Sequence, residues 1–157
     1  MRRRLALFLL AASLAVVVWA QTPVDVVKFS AIYIDPCQRE ARSVYRVDIV
    51  TATTTEIGAA VASEFYWVCS VNLITAAANN VIIVEDDTAT NCPSPTAGVS
   101  SGGTTSAEGW NFAANGGLVA GVGSAWVMKT GTANRSLCII TSAATQLSGT
   151  ITYVSAP

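Results

Sequence analysis

The sequence predicts an all-β domain, a sandwich or barrel of about eight antiparallel strands. Three observations predict it. Apolar runs are short and alternate with a period of two, as in SVYRVDIVTA, where Tyr45, Val47 and Ile49 share one face and Val44, Arg46 and Asp48 the other. Turn-forming residues separate the runs at short spacing through the last third, where GWNFAA, LVAGVG, SAWVMKT, SLCIITSA and TITYVS are punctuated by Asn115-Gly116, Gly131 and Gly149. No stretch carries a long amphipathic helical pattern.

Taken in order, the chain opens with Arg2, Arg3 and Arg4 ahead of an apolar run from Leu5 to Trp19 that closes on Ala20. This is the layout of a secretory signal peptide over residues 1–20, with a mature chain beginning at Gln21. An uncleaved N-terminal anchor is the competing reading, and only then is membrane contact expected; the run is shorter than the roughly 20 residues that span a bilayer. Residues 21–42 read as an extended N-terminal arm whose apolar runs, VDVVKF and AIYI, are stopped by Asp35-Pro36. Residues 43–157 read as the domain.

Nine basic and ten acidic residues make up the charge of the whole chain, and three of the basic ones lie in the signal. The mature chain therefore holds six basic against ten acidic residues, a net charge of −4. Lys28, Arg39, Arg42, Arg46, Lys129 and Arg135 form no basic stripe, so nucleic acid is not an expected partner.

The segment Glu64 to Ile74, EFYWVCSVNLI, packs three aromatics and alternating aliphatics into one run and reads as the central strand. TAAANN then reads as a turn in which Asn79-Asn80 tolerates positive φ, and VIIVEDD, Val81 to Asp87, as the returning strand of a hairpin. The stretch from Thr88 to Gly109, rich in Thr, Ser, Gly and Pro, reads as a long surface connection. Asn115-Gly116 is a strong two-residue hairpin signal.

Four cysteines, Cys37, Cys69, Cys92 and Cys138, stand far apart in a chain with no histidine and no CxxC pair, which points to two structural disulfides rather than to zinc. Spacing does not decide their connectivity; Cys37 with Cys69 and Cys92 with Cys138 is the expectation carried forward. Glu85 and Asp87 share one side of their strand and form a weak calcium candidate, against the plainer reading of a solvated hairpin end. Gly98-Val99-Ser100-Ser101-Gly102 matches the nucleophile-elbow pattern, but with no histidine base and no strand-to-helix flanks the match is accidental. Asn134-Arg135-Ser136 is a glycosylation sequon by spacing alone. Trp67, Trp110 and Trp126 fall at strand positions where packing is the natural role. No catalytic residue and no cofactor is expected.

The succession DPCQ at Asp35, TATTTEI at Thr51, YWVCSVNL at Tyr66, VIIVEDD followed by Asn91-Cys92, GWNFAANGG at Gly109 and SLCIITSAATQLSGTITYV at Ser136 resembles a group of small phage-associated and metagenomic structural proteins. The resemblance covers most of the mature chain. It implies a jelly-roll β-sandwich similar to tumour-necrosis-factor or capsid-decoration domains, association as a homotrimer, and a role on a capsid or particle surface. It also implies structural roles for the four cysteines. Localisation is accordingly expected to be extracellular or on a virion surface. A secreted module that binds glycan or protein through residues 88–109 is the alternative.

Overall fold

The computed structural model describes residues 35–87, 91–122 and 124–157. The expected signal peptide, and the arm as far as residue 34, lie outside the described residues. Ten strands follow in chain order: β1 (Ser43–Ile49), β2 (Thr54–Gly58), β3 (Phe65–Thr75), β4 (Asn79–Asp86), β5 (Pro95–Gly98), β6 (Trp110–Phe112), β7 (Gly117–Ala120), β8 (Met128–Lys129), β9 (Ser136–Thr141) and β10 (Leu147–Ala156). They form two packed antiparallel sheets. Sheet A runs β1-β10-β3-β7, with β8 also on β3; sheet B runs β2-β9-β4-β5, with β6 also on β4.

The inner faces meet in one core. Val47 and Ile49 of β1, Val68, Val71 and Leu73 of β3, and Leu147 and Ile151 of β10 face Val81 and Ile83 of β4 and Leu137 and Ile139 of β9. In β1 the period-two pattern of the sequence holds, with Val47 and Ile49 buried and Val44, Arg46 and Asp48 exposed. Burial of an aliphatic side chain contributes about 1.5–3 kcal/mol, so this two-sided layer is the main source of cohesion.

β3 is central in sheet A, flanked by β10 on one edge and by β7 and β8 on the other. Its alternation breaks once. Ser70 pairs with Thr152 and Val68 with Tyr153, leaving Cys69 as the extra residue of a β-bulge. The bulge resets the phase: Val71 and Leu73 point inward after it, Tyr66 and Val68 before it, while Trp67 and Cys69 join a separate outer cluster. A strict alternation would have sent Cys69 into the core with Val71.

Several connections differ from the sequence expectation. β3 and β4 are not a hairpin; the chain passes through residues 76–78 from sheet A to sheet B, and β4 pairs with β9, β5 and β6. Asn79 begins β4, and its buried side-chain oxygen accepts bonds from Ser142 N (3.1 Å) and Ala143 N (3.2 Å), pinning the β9–β10 turn. Asn115 does adopt a positive φ of 59°, yet the strands on either side, β6 and β7, belong to opposite sheets. The turn that Asn-Gly makes thus folds the chain over the sandwich edge rather than closing a hairpin. Ser148-Gly149 lies within β10, where Gly149 (φ 145°) passes so close to the Asn72 carbonyl of β3 that no Cβ fits. Residues 36–39, expected to be extended, form a single helical turn, α1 (Pro36–Arg39). Asp35 caps it, accepting from Cys37 N at 2.8 Å, and Pro36 takes the first position, where a missing N–H costs nothing.

Candidate functional site

The residues singled out by chemistry are drawn into structural work one after another. Cys37 and Cys69 are bonded, as are Cys92 and Cys138, with Cα separations of 5.6 and 6.4 Å. Each bridge lies on the outer face of a sheet. Cys37 ties α1 onto sheet A beside Trp67, Val154 and Ala156. Cys92 ties the segment after β4 onto sheet B beside Ile82 and Val84.

The Glu85-Asp86-Asp87 run is not a solvated hairpin end. Glu85 is 4% exposed and Asp86 fully buried, and only Asp87 faces solvent. The Glu85 carboxylate accepts from Gly131 N at 2.6 Å and from Thr132 N at 3.4 Å. The Asp86 carboxylate accepts from Ser94 N at 2.7 Å. Asp87 lies 3.4 Å from Arg135 Nη1. Amide hydrogens therefore point at the oxygen that a cation would need, and no group of three or more metal-ligating side chains occurs among the described residues. The run is better described as a clamp for two loops.

Ser100 is bound up similarly: its hydroxyl oxygen accepts from Ile83 N at 3.0 Å, beside the Val99 and Ser100 amides that bond Ile83 O. The stretch from Thr88 to Gly109 is consequently not all loop. It contributes β5 and a turn of 3-10 helix, Ser106–Glu108, and the Glu108 carboxylate takes bonds from Thr105 Oγ1 at 2.8 Å and from the amides of Thr104 and Thr105 at 3.1 Å. Those bonds, the Thr105 hydroxyl first, hold the Glu108 carboxyl below the usual carboxylate range.

Aromatic residues form three further groups. Trp67 and Trp126 meet edge to face at 5.6 Å, and the Lys129 ammonium sits over the rings of Phe65 (3.8 Å) and Trp67 (4.6 Å). Trp126 is held at the surface by a bond from its amide to Asp35 Oδ2 at 3.0 Å. Trp110 stacks on Phe112 near the main core. Tyr66 and Tyr153 pack edge to face at 5.4 Å, their hydroxyls donating to Ala59 O and Ile57 O. Burial, then the neighbouring Tyr153, pushes the Tyr66 phenol up to about 12. Gly58 makes room for that ring, since a Cβ there would lie 2.7 Å from it.

Two accessible features stand out among the described residues. One is a shallow cleft of about 190 Å3 lined by Ile74, Thr75, Ala76, Asn115, Gln146 and Ser148 at one end of sheet A. The other is the outer edge of β1, where Val44 is 59% and the following Val50 58% exposed. The sequence reading of a solvated hairpin end misses the loop clamp of Glu85, which is buried among distant backbone amides. The uninterrupted apolar run VIIV ahead of it was the available signal that both faces are covered. No family model matches the chain, and neither a curated protein nor a solved structure shows significant similarity to it.

Proposed function

We propose that the chain is a non-enzymatic structural module, a jelly roll that associates with copies of itself and is displayed on the surface of a particle or of the exporting cell. The jelly-roll reading is supported by strand order. With the short β6 and β8 set aside, the sheets β1-β10-β3-β7 and β2-β9-β4-β5 interleave in the order that two nested Greek keys produce. The observation that carries the functional reading is the use of reactive groups: Glu85, Asp86 and Ser100 are hydrogen-bonded to backbone, and the four cysteines are cross-linked. What the surface offers instead is apolar area, with Val44, Ile74 and Val119 all exposed on sheet A.

Light scattering on the secreted chain at micromolar concentration tests self-association. A molar mass at an integral multiple of the monomer is the expected result, and a clean monomer overturns it. Proteomics of purified particles and of the cell-surface fraction tests display; a chain found in neither, only free in the medium, removes that part of the proposal.

A further inference from the structure

We propose that self-association is two-fold and runs through the edge of β1 that no described strand pairs with, so that sheet A of one copy continues antiparallel into sheet A of the other. This inference rests on the self-association proposed above and names its surface. The edges of a sheet present unpaired N–H and C=O groups, and native proteins blunt them with short strands or bulges. The other edges here are blunted in those ways. β5 and β7 have four residues, β6 three and β8 two, and β2 has five with a register shift between Glu56 and Gly58. β1 pairs with β10 over seven residues without a shift, and among the described residues nothing pairs with its other side.

Of the registers centred on Arg46, Val47 and Asp48, the side chains along β1 favour one. Two antiparallel copies of the same strand keep their core faces on the same side only if each residue meets one of its own parity. Centring the axis on Arg46 or on Asp48 opposes like charges. Centring it on Val47 places Arg46 opposite the second copy's Asp48, Val44 opposite its Val50, and Tyr45 opposite its Ile49. Each contact then occurs twice, as an isologous interface requires. Val44 and Val50 are the exposed valines at the two ends of the strand, 59% and 58% accessible. Arg46 has no hydrogen bond or ion pair among the described residues, while the Asp48 carboxylate is held in place by Gln146 Nε2 at 2.6 Å. The three-fold association implied by the resemblance needs another surface, because a strand edge that reads as its own complement closes with a two-fold axis.

Light scattering on the full chain and on charge-swapped variants decides the matter. The unmodified chain is expected at twice the monomer mass. R46D and D48R each oppose two pairs of like charges and are expected to weaken association by about tenfold or more. An equimolar mixture of R46D with D48R restores the dimer, as does R46D/D48R alone, outcomes that misfolded variants cannot produce. A monomeric unmodified chain overturns both this inference and the self-association it rests on. A trimer, or single variants that stay dimeric, overturns the β1 edge alone.

Discussion

Sheets A and B share one core but differ in how their outer faces are treated. In sheet B, every residue of β4 except Asn80 is buried, and β9 is buried at all positions except Ile140. Its outer face is closed by the Cys92–Cys138 bridge over Ile82 and Val84, and its end is closed by the Glu85 and Asp86 clamps. In sheet A, among the described residues, the end beyond the Cys69 bulge is covered by α1, Trp67 and Val154, while β1 and the outward residues Asn72, Ile74 and Val119 are exposed. The difference teaches that one sandwich can hold one outer face sealed by its own side chains and another exposed among the described residues, and that disulfides mark where sealing occurs.

The largest expected effects come from opening each seal in turn. The bridges close sequence separations of 32 and 46 residues, for which the chain-entropy argument gives about 4 kcal/mol each. C92A/C138A and C37A/C69A should therefore lose similar stability in denaturant melts. They should differ in where the structure loosens. The first should expose the amides of β4 and β9 to hydrogen exchange. The second should leave those protected and change the near-ultraviolet signal of Trp67, which packs with Cys37 and Cys69. Equal loosening of both sheets by either pair would mean that the two outer faces are not sealed separately.

A smaller effect separates the buried from the exposed carboxylates. Glu85→Ala leaves the Gly131 and Thr132 amides without their acceptor and is expected to cost about 2–3 kcal/mol. Asp87→Ala removes only an ion pair at the surface, expected to cost under about 1 kcal/mol. Urea midpoints measure both, and equal losses would mean that the Glu85 clamp carries nothing.

Much of this architecture was legible in the residues, and what was not has physical causes. The alternation of β1 and the apolar density of β3 made both strands readable, because a strand with one buried face writes its period into the sequence. The partners of β3 were not readable. Adjacent strands in sequence suggest a hairpin, and nothing in TAAANN states that the chain crosses to the other sheet. Cys69 was legible as structural but its bulge was not, since an extra residue in one strand shows only against the register of its partner. Charge suggests exposure for Glu85 and Asp86, whereas backbone amides from distant loops supply the bonds that allow their burial.

A further effect lies where the two sheets meet. The Tyr66 phenol, on sheet A, donates to Ala59 O, just past the end of β2 in sheet B, and burial raises its titration from 10 to about 12. The neutral form is thus favoured by the folded state. A raised folded value means that the contribution is fully present below pH 10 and disappears as pH climbs towards 12. The loss should be on the order of 2 kcal/mol. Chemical denaturation at successive alkaline pH values, with phenolate absorbance followed in parallel, measures it. Tyr66→Phe gives the control: it lacks the ionisation, so its stability should fall less steeply over the same interval. If both chains weaken in parallel, the alkaline loss comes from elsewhere and Tyr66 is not the link between the sheets.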